Sequence, residues 1–225
     1  MKKSILKNCP LFADLSDSEL DLAFDFFSCT ERTYKKGEMI LTPENKLVNF
    51  GLVKSGAVQT YTLDIDGYEM IMATVQTGET FGESLSFLQK EAVIFISALC
   101  DTTVVWMSTN RIRAQRFDSE CERKLANRFT ALLASRALSM NDRIQILSRL
   151  TIREKLIAMF TEAVRKYGST IFALPFDRTS MAAYLGCDRA SLSRELSKLR
   201  KEGMIKFTKN KFEILKISDN TMKLK

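Results

Sequence analysis

Residues 177–205, DRTSMAAYLGCDRASLSRELSKLRKEGMI, set cations and short hydroxyls at helical spacing beside an apolar stripe. Arg189, Ala190, Ser191, Ser193, Arg194, Ser197, Lys198 and Lys201 fall on the start and outer face of one helix. Guanidinium forks suit base edges and phosphates, and lysines act as point charges on phosphate, so this face could lie on DNA.

The elements that must position these groups are legible nearby. Asp177 is an N-cap whose carboxylate can accept the exposed amides of a first helix. That helix carries Met181, Ala182 and Leu185 inward, and Gly186 ends it where the chain turns. Asp188 caps a second helix, in which Leu192, Leu196 and Leu199 recur at i, i+4 and i+7. Small Ala182, with Gly186 and Leu192, is expected to let the two helices cross closely. The plainer alternative is a helical hairpin with a solvated basic face. The turn glycine, both caps and the cationic face together favour a DNA-binding helix-turn-helix.

Charge along the chain points the same way. The net charge is +7. Residues 1–148 hold 17 basic and 19 acidic side chains, whereas residues 149–225 hold 17 and 8, a net of +9. A polyanion partner is therefore expected for the tail alone. No apolar run reaches the ~18 residues of a membrane helix, so no membrane role is expected. The start MKKSILKNCPLF lacks the apolar core of a signal peptide, and a cytoplasmic location is expected. Five scattered cysteines, Cys9, Cys29, Cys100, Cys121 and Cys187, argue for reduced thiols rather than a disulfide framework.

Upstream, Ser16 and Glu19 form a capping box at the start of a helix. From about residue 33 to 107, short β-rich runs (58–63, 69–75, 93–99, 103–107) alternate with turn signals such as Lys36-Gly37, Ser55-Gly56, Asp66-Gly67 and Thr77-Gly78. That texture predicts a small β sandwich or barrel. Residues 119–148 contain no Gly or Pro and predict one long helix. Its stripe of Ala126, Phe129, Leu133, Ala137, Met140, Ile144 and Leu147 is expected to meet a partner helix, the alternative being packing on the β-domain alone. A helix near 153–166 follows, and strands 205–208 and 212–217 around Lys209-Asn210-Lys211 predict a wing. The fold class is α+β: a β-roll sensor domain (1–118), jelly-roll-like, a dimerisation helix (119–148) and a winged helix-turn-helix (149–225).

This order resembles the Crp/Fnr family of bacterial transcription regulators over nearly the whole chain. The matching motifs are Pro10-Leu11-Phe12, Leu15-Ser16, Glu19-Leu20, Gly37-Glu38, Ser55-Gly56, Asp66-Gly67-Tyr68-Glu69, Gly78-Glu79, Phe81-Gly82-Glu83, Tyr184-Leu185-Gly186-Cys187-Asp188-Arg189 and Leu192-Ser193-Arg194. The resemblance implies a cyclic-nucleotide-binding-like β-roll and a homodimer that places a recognition helix in each of two major grooves ~34 Å apart, on a roughly palindromic operator in double-stranded DNA. It also implies RNA polymerase as a partner. Arg189 and Arg194 fall on the family's recognition-helix arginines, with guanine as the base to read, and Ser193 could add a base contact. Arg178, Ser191, Lys198 and Lys201 suit the DNA backbone. Many members carry a glutamate where this chain has Ala190, so the half-site is expected to differ from the family's commonest one.

The sensor departs from the family's cyclic AMP pattern. Glu83 is kept, but the Arg-Ser or Arg-Thr pair that holds the phosphate falls on Ala92-Val93. A buried phosphate without a cation would be poorly compensated. The hydroxyls that meet adenine fall on Met140 and Asn141, while Arg136 matches a position directed at the pocket. An iron–sulfur cluster needs about four clustered thiolates, which the N-terminus lacks, and haem through histidine is excluded because the chain has none. No cofactor or metal site is therefore expected. Thr80, Glu83, Ser84, Arg136, Met140 and Asn141 remain as candidates for an unidentified small effector, with an apolar or aromatic acid suiting the lining. Two alternatives stay open: a regulator active without a ligand, its pocket filled by residues such as Met140 and Phe95, and a switch through cysteine oxidation.

An enzyme is not expected. The chain has no histidine base, no Walker-type phosphate loop, no G-x-G-x-x-G and no paired metal-ligand motif. A protein-docking winged helix is the third possibility, and the +9 tail speaks against it.

Overall fold

The computed structural model describes residues 9–216 apart from 64, 66, 68, 175 and 176. Asp66, Tyr68 and Ile217, singled out from the sequence, lie outside the described residues. The chain forms two compact units, dividing between Arg136 and Ala137.

The first unit opens with helix α1 (Asp17–Phe26), started by the expected capping box: the Ser16 hydroxyl accepts the Glu19 amide, and Glu19 returns to the Ser16 amide at 2.8 Å. Eight strands follow: β1 (Thr30–Tyr34), β2 (Met39–Leu41), β3 (Asn49–Ser55), β4 (Ala57–Leu63), β5 (Glu69–Gln76), β6 (Thr80–Phe81), β7 (Phe95–Ala98) and β8 (Thr102–Ser108). They form two antiparallel sheets, ordered β1-β8-β3-β6 and β2-β7-β4-β5. Short helix α2 (Glu83–Leu88) interrupts the strand pattern between β6 and β7, and α3 (Asn110–Arg113) follows β8. One buried cluster includes Val53, Val58, Ile96, Val104 and Phe81, and another joins Phe12, Phe26, Phe27 and Phe50.

Helix α4 (Glu120–Leu147) is the predicted long helix, but its apolar stripe is divided. Ala126 and Phe129 are buried in the first unit's own aromatic cluster, together with Leu125, and Phe129 meets Phe50 at 5.3 Å between ring centroids. Ala137, Met140 and Ile144 are exposed. The front of the stripe thus packs on the β-domain, and only its rear half is left for a partner helix.

The second unit continues with α5 (Ile152–Tyr167), β9 (Ile171–Ala173), α6 (Arg178–Leu185), α7 (Arg189–Lys201), β10 (Ile205–Thr208) and β11 (Lys211–Ile214). The hairpin turn is shorter than read from sequence: Thr208 pairs with Lys211, so only Lys209 and Asn210 remain between the strands. Strand β9 adds to the hairpin, giving a sheet of order β10-β11-β9.

Gly51 on β3 shows how closely the roll is built. A Cβ there would lie 2.3 Å from Phe81 Cζ and 2.9 Å from Val104 Cγ1. Gly51→Ala should destabilise the first unit by about 1–3 kcal/mol, the usual result of overpacking. Urea unfolding should show this as a lower midpoint at nearly constant slope.

Candidate nucleic-acid interface and effector site

Helices α6 and α7 are set by their caps. Asp177 Oδ1 accepts the Ser180 amide at 2.7 Å, and Asp188 Oδ1 accepts the Ser191 amide at 2.8 Å. The Ser180 amide and side chain hold Asp177, and the Ser191 side chain and amide hold Asp188, below the ordinary carboxylate range. Lys155 on α5 donates its Nζ to the Leu185 carbonyl at 2.9 Å, satisfying an orphan acceptor at the end of α6. Gly186 then takes φ +59°, the left-handed geometry of a helix C-cap. A Cβ at Gly186 would meet only ordinary contacts, the nearest being Leu147 Cδ2 at 3.5 Å. Backbone conformation, not a close helix crossing, is what requires glycine here.

Leu192, Leu196 and Leu199 are buried in the second unit's core with Met181, Leu185, Phe160 and Phe212. That turns Ala190, Ser193, Arg194, Lys198 and Lys201 outward, where all are exposed, and Arg189 is exposed at the helix start. Within this face the hydroxyls differ. Ser193 donates back to the Arg189 carbonyl at 2.9 Å, and Ser197 to the Ser193 carbonyl at 2.9 Å. Ser191 instead accepts from Arg194 Nη2 at 2.8 Å. Lys198 lies 3.6 Å from Glu195.

Arg178, expected to suit the DNA backbone, is half-buried at the start of α6. Its guanidinium lies 4.8 Å from the Phe207 ring centre and 5.4 Å from that of Phe212, a cation–π packing that attaches α6 to the wing. Burial draws it below the ordinary arginine value. Arg200 lies over the same Phe207 at 5.1 Å. The wing lysines Lys206, Lys209 and Lys211, not singled out from the sequence as DNA contacts, are exposed as well.

In the first unit, Thr80, Glu83 and Arg136 are brought together. Thr80 and Glu83 are buried, and the Thr80 hydroxyl donates to Glu83 Oε1. Arg136 Nη2 donates to the Thr80 carbonyl at 2.9 Å and lies 3.6 Å from Glu83 Oε1. Ser84 is exposed. Met140 and Asn141 lie further along α4, belong to the second unit and are exposed. Phe95 is half-buried and stacks on Tyr61 at 5.1 Å. Ala92 is buried, whereas Val93 is 78% exposed. Among the described residues, no three Cys, Asp or Glu side chains gather into a group that could hold a metal ion, and no helix is long and apolar enough to cross a membrane.

Two family profiles match this arrangement unit by unit: the Cyclic nucleotide-binding domain over residues 31–119 and the Crp-like helix-turn-helix domain over residues 152–219. The chain belongs to the Crp/Fnr family. It is a DNA-binding transcription regulator, not an enzyme. It is similar to the Cyclic AMP receptor protein of Thermus thermophilus, 26% identical over 93% of this chain and 94% of that protein. It is also similar to Electron transport regulator A of Shewanella oneidensis, 25% identical over 89% of this chain and 80% of that protein. Among solved structures, FixK2 from Bradyrhizobium japonicum is similar, with a TM-score of 0.58 and 25% identity over 84% of this chain and 93% of that one.

In this Crp/Fnr chain the recognition helix is tied to α5 by charge. Arg153 Nε lies 2.8 Å from Glu195 Oε1, and its Nη2 lies 2.5 Å from Glu202 Oε1. The Arg153 hydrogen bond holds Glu195 below its ordinary value of 4.5. A carboxyl depressed in the folded state stabilises the fold above its unfolded pKa, and this contribution is lost as pH falls through the folded one. Melting temperature should therefore fall as pH drops below about 4.5, with Asp177 and Asp188 contributing in the same direction. Glu195→Gln should melt lower at neutral pH and show a flatter acid slope in a circular-dichroism titration.

Proposed function

We propose that this regulator works in the cytoplasm as a homodimer on a roughly palindromic operator, with RNA polymerase as a further partner. Its front unit would answer to a small effector other than cyclic AMP. The observation that carries the DNA reading is the outward face of α7, where Arg194, Lys198 and Lys201 stand away from three buried leucines and Arg189 is exposed at the helix start. Arg194 and Arg189 would read guanine, while Lys198, Lys201 and the wing lysines would hold phosphates. Dimerisation is supported by the rear half of α4, where Leu138 is 67% and Ile144 61% exposed beside the small Ala134 and Ala137.

Binding that neutralises about eight phosphates should weaken with salt at a log–log slope of roughly −7. Arg194→Ala should lose about 1–3 kcal/mol of discrimination at one base pair. Lys201→Ala should weaken all sequences alike and flatten the slope. Fluorescence anisotropy against operator and scrambled DNA separates the two, and uniform losses from both would overturn the assignment.

Two features support an effector other than cyclic AMP. Ala92 and Val93 offer hydrocarbon where the family's phosphate-holding pair falls. Arg136, the cation beside Glu83, already bonds the Thr80 carbonyl and pairs with Glu83. An apolar or aromatic acid could take Arg136 as its counter-ion. The same satisfied cluster favours a second reading, a regulator active with no ligand at all. A thiol switch gains no support from Cys9 or Cys29, whose burial pushes them up to about 11 and about 12, away from the reactive thiolate. Millimolar cyclic AMP should leave the melting temperature unchanged, because a ligand stabilises only the state it binds. A library of small carboxylic acids tested in the same way separates the effector from the ligand-free reading, and stabilisation by cyclic AMP would reverse the proposal.

A further inference from the structure

We infer that Ser191 is a positioning residue for base readout, its hydroxyl fixing the Arg194 guanidinium before DNA arrives. This rests on the reading of α7 as the helix that enters the groove. Ser191 lies one helical turn before Arg194, and Arg194 Nη2 donates to its Oγ at 2.8 Å. The acceptor is itself anchored: Ser191 is half-buried and its amide donates to the N-cap Asp188 at 2.8 Å. The Ser193 and Ser197 hydroxyls are instead turned onto the helix backbone, donating to the Arg189 and Ser193 carbonyls. Position 190 offers no carboxylate, only the methyl of Ala190.

An exposed arginine samples many rotamers, and a fork already held in one orientation loses less freedom on docking. The Ser191 oxygen engages one donor nitrogen of the guanidinium, and the remaining N–H groups are left for a base edge. Because the hydroxyl accepts from Arg194, its own proton can go to the N-cap carboxylate of Asp188, which also bonds the Ser191 side chain. Ser191 therefore acts on sequence discrimination through Arg194, and not as the independent phosphate contact its position on the helix suggested.

The test uses the full chain and an operator that it selects from a random DNA pool. Wild type, Ser191→Ala, Ser191→Thr, Arg194→Ala and the Ser191→Ala/Arg194→Ala double variant are measured on that operator and on its single-base-pair variants. Arg194→Ala should lose discrimination at one pair. Ser191→Ala should lose part of it at the same pair, roughly two- to tenfold, the worth of one hydrogen bond. Ser191→Thr, which keeps the hydroxyl, should restore it. The double variant should be no worse there than Arg194→Ala, as expected for residues acting as one unit. The inference is overturned if Ser191→Ala matches wild type, weakens all sequences equally, or adds its loss to that of Arg194→Ala. If wild type selects no sequence, or Arg194→Ala keeps full discrimination, the reading of α7 itself fails. Circular dichroism of each variant shows whether a loss reflects unfolding.

Discussion

The rotation of α7 about its own axis is the constraint on which the rest of the DNA-binding unit depends. Burial of Leu192, Leu196 and Leu199 sets that rotation, and each such side chain is worth about 1.5–3 kcal/mol. With 3.6 residues per turn, hiding those three positions turns Ala190, Arg194 and Lys201 outward, while Arg189, on the leucine side, is exposed because it is the helix's first residue. The ends are fixed separately. Asp188 satisfies the first turn, and Arg153 reaches from α5 to both Glu195 and Glu202. Apolar burial chooses the face, and the caps and ion pairs keep it from slipping.

The first unit is organised around a different problem, a buried carboxyl group. Glu83 would be costly inside the roll if left alone. It is answered by the Thr80 hydroxyl and by Arg136. That arrangement couples any effector chemistry to Arg136: an anion would compete with Glu83 for it, and a neutral ligand would have to leave the pair intact. A site that satisfies itself in this way can hold its geometry without a ligand, which is why the ligand-free reading stands on the same atoms as the effector reading.

Much of the fold was legible in the sequence because the signals were local. The Ser16–Glu19 capping box, the Asp177 and Asp188 caps, the break at Gly186 and the leucine stripe each need only a few neighbouring residues, and all are present as expected. What was missed depends on distant partners. Strand β9 is three residues long and exists because β11 pairs with it. The packing of Arg178 on Phe207 and Phe212, which lie far along the chain, is likewise invisible in its local sequence. The division of α4 was hidden for the same reason. Ala126 and Ala137 share a periodicity, but only the tertiary fold brings Phe50 against the turn that holds Phe129.

That division gives α4 two duties along one continuous helix. Its front half is locked into the first unit by Leu125, Ala126 and Phe129, and its rear half shows Leu138, Met140 and Ile144 to water. Scattered apolar side chains on a surface need no explanation, but a run of them beside small alanines on one helix suits the proposed seam. Arg136 lies where one duty gives way to the other. The residue that neutralises Glu83 is therefore within one turn of the proposed seam. A molecule that drew Arg136 from Glu83 would act first on the turn of helix beside that proposed seam. To shift the regulator's state it would still have to bind one arrangement of that turn better than the other.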